Sequence, residues 1–238
     1  MVSASSSANS PSINELLEKF KSSSVRQKRT LIKEVEKRSA EIAGLGEEGL
    51  IAFNPESDDW AAGWILQILH RHEPEALKKI LSRKSSGWFN APSSIGIDYA
   101  PLQEALLEER FEDADRLTSS TLRKLAGINA ENRGYVYFTE VAVMAGLDLV
   151  TIDRLWIAYS QGRFGFSVQA RILKALNGRY DRLWPRIGWK KDAVWTRYPT
   201  SFTWSLDAPE GHMPLVNQLR GVRLIDAILN HPSLSERC

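Results

Sequence analysis

With 238 residues, 43% of them hydrophobic and 25% charged, the chain is long enough to bury a substantial core and lies far from disordered or collagen-like compositions. Its 31 basic and 29 acidic residues leave a net charge of +2, too little to grip a phosphate backbone, so nucleic acid is not an expected partner. A single cysteine, Cys238, excludes an intrachain disulfide and a cysteine-based zinc cluster, and no apolar run approaches the roughly 18 to 20 residues that span a bilayer.

The start, MVSASSSANSPS, has neither the basic nor the apolar region of a secretory signal, and residues 1–12 are expected to be a disordered tail on a cytoplasmic protein. Ser12 followed by Glu15 fits a capping box and predicts a helix from Ile13 with Leu16, Leu17 and Phe20 on its apolar side. VRQKRTLIKEVEKRSAEIAG predicts a charged helix with Ile32 and Val35 turned inward and Gly44 as its stop. A short helix in EEGLIAF, turn residues over 54–59, the strongly apolar WAAGWILQILHRH and the Pro-initiated PEALKKIL complete residues 13–82. This part reads as a small helical bundle or an armadillo-like stack. Ser, Gly and Pro in SRKSSGWFNAPSSIGI break the pattern, so residues 83–97 are expected to link the bundle to a second domain over 98–238, with Trp88 and Phe89 docked on one of the two.

From Asp98 onward, YAPLQEALLEER and FEDADRLTSSTLRKLAG predict two amphipathic helices, the second ended by Gly127. YVYF at 135–138 has the composition of a short strand, and TEVAVMAG that of a brief helix. LVTIDRLWIAYS, VQARILKALNG with Ser167 as its cap, and RYDRLWPRIGW across Pro185 continue an all-α pattern. The pattern then stops for about twenty-five residues, an unusual length for an irregular segment in a compact domain. Trp189, Trp195, Tyr198, Phe202 and Trp204 lie there and fit no helical period. Each ring left in water forfeits on the order of 2 to 3 kcal/mol of burial, so this loop must cover a core or a ligand. MPLVNQLRGVRLIDAIL predicts an apolar helix with Arg220 and Arg223, three residues apart, on one face.

Catalytic constellations are missing from the sequence. His70 and His72 point to different sides of a helix, His212 and His231 are isolated, and there is no P-loop, dinucleotide fingerprint or nucleophile elbow. Glu108, Glu109, Glu112, Asp113 and Asp115 read as a solvated helical face. Three features remain. FGFSVQ places Phe164 and Phe166 around Gly165, either to approach a flat ligand or simply as core. The aromatic loop is either a ligand lid or a core lid. Arg220 and Arg223 suit bidentate carboxylate recognition, or else make surface ion pairs. Together the features describe an apolar, ring-lined site with a cationic edge, suited to a flat hydrophobic molecule carrying carboxylates and less so to single-stranded nucleic acid. A scaffold whose aromatic loop docks a partner helix, with no small molecule, is the alternative.

GIDYAPLQEAL, YFTEV, FGFSVQ, RLWPRIGWK, VWTRYPTSFTW and PLVNQLRGVR, in this order over residues 96–223, closely resemble the genomes-uncoupled family of tetrapyrrole-binding proteins that activate magnesium chelatase in oxygenic phototrophs. The N-terminal helices are similar to the armadillo-like extension of cyanobacterial members. The resemblance implies an all-α fold, with a C-terminal domain shaped like a cupped hand that binds protoporphyrin IX and Mg-protoporphyrin IX without converting them. It also implies a monomeric activator of the large porphyrin-binding subunit of magnesium chelatase in chlorophyll biosynthesis, cytoplasmic or peripheral to a photosynthetic membrane, with no catalytic residue and no protein metal site. On the matching positions, Phe138 and Val141 would line the apolar palm with Phe166 beside them, and Asn217, Leu219, Arg220 and Arg223 would form the opposing rim. Residues 189–214 would be a mobile finger carrying Trp189, Trp195, Phe202 and Trp204, with Tyr198 at a position where some relatives carry Trp.

Overall fold

The computed structural model describes residues 11–84, 86–216 and 222–238. Helix α1 (Ile13–Ser22) opens on the expected capping box: Ser12 Oγ accepts the Glu15 amide, and the Glu15 carboxylate accepts the Ser12 amide at 2.7 Å. Ser24 and Gln27 repeat the device at the start of α2 (Val25–Lys37). The charged helix expected to run to Gly44 instead breaks at Arg38, whose φ/ψ of −106°/22° leaves the helical region and whose guanidinium reaches Glu41 and the Pro11 carbonyl. Beyond the break, α3 (Ser39–Leu45) ends at Gly46, where φ is +59°. Two short helices, α4 (Glu48–Ile51) and α6 (Pro74–Leu81), flank α5 (Trp60–His72).

The second half comprises α7 (Ala100–Leu107), α8 (Phe111–Leu125), α9 (Ile128–Arg133), a 3-10 helix over Phe138–Val143, α10 (Gly146–Tyr159), α11 (Phe166–Ala175) and α12 (Tyr180–Arg186). A two-stranded hairpin, β1 (Lys190–Lys191) and β2 (Val194–Trp195), precedes α13 (Arg223–Leu229) and α14 (Pro232–Ser235). The architecture is all-α, as expected, and no helix among the described residues is long and apolar enough to cross a membrane.

Local expectations gave way where another partner claimed the backbone. YVYF forms no strand, because Glu140 accepts the Tyr137 amide at 2.7 Å and turns the segment into the entrance of the 3-10 helix. Ser167 lies inside α11 and does not cap it; its amide donates to Asp153 of α10 at 2.9 Å, so the acceptor comes from another helix. Of the helix predicted from residue 213, the described residues show Arg223–Leu229 helical and 213–216 not. Residues 213–216 form neither helix nor strand: the Met213 carbonyl takes the Gly165 amide, the Pro214 carbonyl takes the Gln169 side-chain amide, and the Leu215 amide donates to Asp115. That backbone is committed to tertiary partners and cannot also build a helical ladder.

Helix α5 joins the two halves. Trp60 through Leu69 are buried without interruption, so α5 is apolar all round, as a helix enclosed on every side must be. It packs on α1, α2, α3 and α6 and, on its other side, on α7 and α10. Contact with α10 is close enough that a Cβ on Gly63 would lie 2.0 Å from the Ala158 carbonyl oxygen, which admits only glycine without a backbone shift. One helical turn on, the Gln67 amide donates to the Leu106 and Tyr159 carbonyls at 3.1 and 2.8 Å. Residues 83–97 are fastened rather than loose: Trp88 and Phe89 are buried, Gln103 bonds both backbone groups of Phe89, and Thr151 and Asp148 hold Pro92 and Ser94. Near the C-terminus, Arg237 bridges the buried Asp153 at 2.9 Å and Asp58 of the N-terminal half, while Arg154 donates to the Pro55 and Ser57 carbonyls.

Candidate functional site

The aromatic loop is organised around two ring clusters. Trp184 of α12 is the base of the first: Trp189 stacks on it at 5.7 Å and 6°, Trp195 leans on it at 5.6 Å, and Tyr180 covers it at 5.3 Å. The hairpin that carries Trp195 closes through Asp192 and Ala193, both with positive φ (47° and 64°), the conformation that a two-residue hairpin turn requires. In the second cluster Phe202 stacks on Trp204 at 5.5 Å, and Tyr198 meets both edge-on at 5.8 Å. His212 ties the clusters together. Its carbonyl accepts Trp189 Nε1–H at 2.7 Å, its Nδ1 lies 2.7 Å from the Ile187 carbonyl, its Nε2 faces the Thr203 amide, and its ring packs on Phe202 at 4.8 Å. A donor at Nδ1 and an acceptor at Nε2 define a neutral imidazole, and burial pushes its pKa below the usual histidine value. The loop therefore has a buried base, where Trp189 is 1% exposed, and an exposed tip over residues 194–201, where Trp195 is 44% exposed.

Between this loop, α8, residues 134–138 and the start of α13 lies a cleft of about 1240 Å³. Its apolar walls include Leu122, Val136, Phe138, Trp189, Trp195, Phe202 and Leu215. Among the described residues, four arginines line it, Arg116, Arg123, Arg197 and Arg223, against one carboxylate, Asp115. Arg116 is paired with Glu112; Arg123, Arg197 and Arg223 have no carboxylate partner among the described residues. The Arg223 guanidinium instead sits 5.3 Å from the centre of the Phe138 ring, which is 41% exposed. Apolar, aromatic walls with convergent cationic groups fit a flat ligand bearing anionic substituents at its edge.

Phe138, Tyr198, Arg223, Trp189, Trp195 and Phe202 come together in the cleft, and Trp204 supports Tyr198 and Phe202 from behind. Val141 and Phe166 do not join them. Val141 is 1% exposed on the inner side of the 3-10 helix, and Phe166, at 0%, opens α11 within the core, so neither is on the cleft wall. Phe164 is core as well, packed on Phe111 and Trp156. Asn217, Leu219 and Arg220 lie outside the described residues, as do residues 1–10 of the expected tail. Sequence reasoning missed the contribution of α8. Asp115, expected on a solvated face, is 1% exposed and borders the cleft. The stripe that could have found it is Asp115, Arg116, Ser119, Leu122 and Arg123, whose spacing lines one side of a helix.

Comparison with known proteins gives a consistent result. Residues 92–232 match the family described as GUN4-like. The chain is 49% identical over 177 residues to a Ycf53-like protein of Synechocystis sp., covering 74% of this chain and 76% of that one. It is 38% identical over 143 residues to a chloroplastic tetrapyrrole-binding protein of Arabidopsis thaliana, covering 56% of this chain and 54% of the relative. A solved structure of GUN4 from Chlamydomonas reinhardtii superposes with a TM-score of 0.59 at 37% identity, covering 64% of this chain and 98% of the other.

Proposed function

We propose that this chain, which belongs to the GUN4-like family, binds porphyrins in the cleft beside α8 and is a non-catalytic accessory protein. Its ligands in this reading are protoporphyrin IX and Mg-protoporphyrin IX, and through them it stimulates magnesium chelatase by meeting that enzyme's large porphyrin-binding subunit. The observation that carries the reading is the pairing of ring-lined walls with three arginines that have no acidic partner among the described residues. Covering one porphyrin face, about 300 Å², contributes about 7 kcal/mol before association costs. The arginines meet the propionates, with Arg223 next to the Phe138 ring. His212, with both ring nitrogens engaged, would not be free to ligate the magnesium of a bound complex. Every residue on the cleft wall falls between Asp115 and Leu224, so residues 98–238 carry the ligand site while 13–82 stabilise the fold or tune partner contact.

Titration with deuteroporphyrin tests this reading, followed by tryptophan quenching and the Soret band. Saturable quenching at a one-to-one ratio with an unconverted ligand spectrum is expected. No binding by folded protein would overturn it and leave the cleft as a docking site for a partner helix.

A further inference from the structure

We infer that Arg133 is a positioning residue for the cleft: from outside it, paired with Glu140, its guanidinium holds the Tyr135 and Tyr137 rings and so fixes the stretch of wall, residues 134–138, that carries Phe138. This rests on the reading of the cleft as the ligand site. Residues 134–138 all line the cleft, whereas Arg133 and Glu140 do not. Arg133 ends α9, and Gly134, with φ at +83°, turns the chain out of the helix, so the wall begins one residue after the side chain that holds it. The Arg133 Cζ lies 4.6 Å from the centre of the Tyr135 ring and 4.1 Å from that of Tyr137, and the two rings meet edge-on at 5.3 Å. One guanidinium nitrogen donates to the Tyr135 carbonyl at 3.0 Å and to Glu140 Oε2 at 2.6 Å. That same oxygen accepts the Tyr137 amide at 2.7 Å, so the segment from 133 to 140 is closed on itself through an ion pair.

An exposed ion pair between near neighbours in sequence would add little. Here both side chains are mostly enclosed, and Arg133 Nε is buried with no hydrogen-bond partner among the described residues, so the guanidinium has given up water to sit against the rings. A flat cation can cover a ring and still project N–H groups in its own plane, which the ammonium of a lysine does not. What the arrangement supplies is shape. Phe138 opens the 3-10 helix that packs on α13, and Arg223 of α13 lies 5.3 Å from the centre of the Phe138 ring, so displacing the wall also moves the ring against which a rim arginine is placed. The charge of Arg133 is committed to Glu140, so its effect on binding should not depend on whether the ligand carries carboxylates. A wall held in place before the ligand arrives spares the cost of ordering it on binding.

Deuteroporphyrin and its dimethyl ester, titrated against the full chain by tryptophan quenching, test this role. Arg133→Gln and Glu140→Gln should each weaken both ligands by about threefold to tenfold, the scale of one cation–π contact or charge-assisted hydrogen bond. The double variant should be no weaker than the worse single one, because each residue acts through the other. Arg133→Lys, which keeps the charge but not the planar fork, should recover part of the loss. Amide exchange on the ligand-free variants is the second readout: residues 135–138 should exchange faster by a similar factor while α5 and α10 keep wild-type rates, which separates a loosened wall from a loosened fold. Wild-type affinity in the folded variants, a loss confined to the diacid, or faster exchange spread evenly over the chain overturns the positioning role. If Arg133→Gln folds poorly, Glu140→Gln, which retains an acceptor for the Tyr137 amide, carries the test. No binding of either porphyrin by wild type sinks the ligand reading and this role with it, whereas binding that the variants share equally sinks the role alone.

Discussion

Asp153 and Asp115 are both fully buried carboxylates on long helices, but the junction between the two halves and the cleft treat them differently. At the junction Asp153 is surrounded by partners: the Ser167 amide, and Arg237, which also holds Asp58. Burial still raises its pKa, and the Ser167 amide and Arg237 oppose that shift. Among the described residues of the cleft, Asp115 has one hydrogen bond and no ion pair, while Arg123, Arg197 and Arg223 are left without acids. A region that only has to hold together satisfies its charges internally. The cleft leaves charges unsatisfied, as a site awaiting a ligand does.

The strongest way to break this contrast is to remove Arg237. Arg237→Ala strands a fully buried Asp153 and should cost about 3 to 5 kcal/mol of stability, measured by urea denaturation. Gly63→Ala acts at the same junction by another mechanism: its Cβ would collide with the Ala158 carbonyl, whereas Gly44→Ala, with nothing within 4 Å, should be neutral or stabilising. If both glycine variants were equally stable, the close crossing of α5 and α10 would not be what orders the two halves.

Asp115→Asn should do the opposite of Arg237→Ala at high pH. Burial holds the folded-state pKa of Asp115 at about 7, above the ordinary aspartate value, so its stability contribution is full below the unfolded value and is lost as pH rises through about 7. The variant should therefore be about 1 to 3 kcal/mol more stable than wild type at pH 8, and the gap should close toward pH 4.

Which of these features were legible in the sequence follows from how far away their partners lie. The α1 capping box, the apolar α5 and the Pro-initiated α6 depend on residues within one or two turns, and each forms as read. The break at Arg38, the cap of α11 and the non-helical 213–216 segment involve Pro11, Asp153 and Asp115, partners that local patterns do not contain. The hairpin was hidden because Asp192 and Ala193 adopt positive φ without a glycine. In the cleft, the loop rings and Arg223 stood out because aromatic and cationic residues are conspicuous against their neighbours. Arg116 and Arg123 did not, since an arginine on a charged helix looks the same whether it faces solvent or a ligand.

Charge reversal at the rim sharpens the contrast from the other side. Arg223→Glu should lower affinity for dicarboxylic deuteroporphyrin by about 1 to 2 kcal/mol and leave urea stability nearly unchanged, because Arg223 is exposed, makes no ion pair among the described residues and packs its guanidinium on the Phe138 ring. The dimethyl ester is the control. Equal losses for diacid and diester would show that Arg223 shapes the pocket rather than reads carboxylates.

The smallest effect, and the one that separates the two regions without any mutation, is that of salt. Exposed charges separated by more than the Debye length are screened, and that length shrinks from about 10 Å at 0.1 M to about 3 Å at 1 M. Arg123 and Arg197 line the cleft from α8 and from the loop, and in the proposed reading they would act on the ligand's carboxylates partly through solvent. Raising sodium chloride from 0.1 to 1 M should therefore weaken diacid binding by roughly 1 kcal/mol and diester binding by much less, while the apolar contribution to both is unchanged or slightly strengthened. The Arg237–Asp153 pair is half-buried on one side and fully buried on the other, so the urea midpoint should not fall over the same range. A midpoint that drops with salt while diacid affinity holds would reverse the assignment, placing the salt-sensitive electrostatics in the junction and leaving the cleft to bind by apolar contact alone.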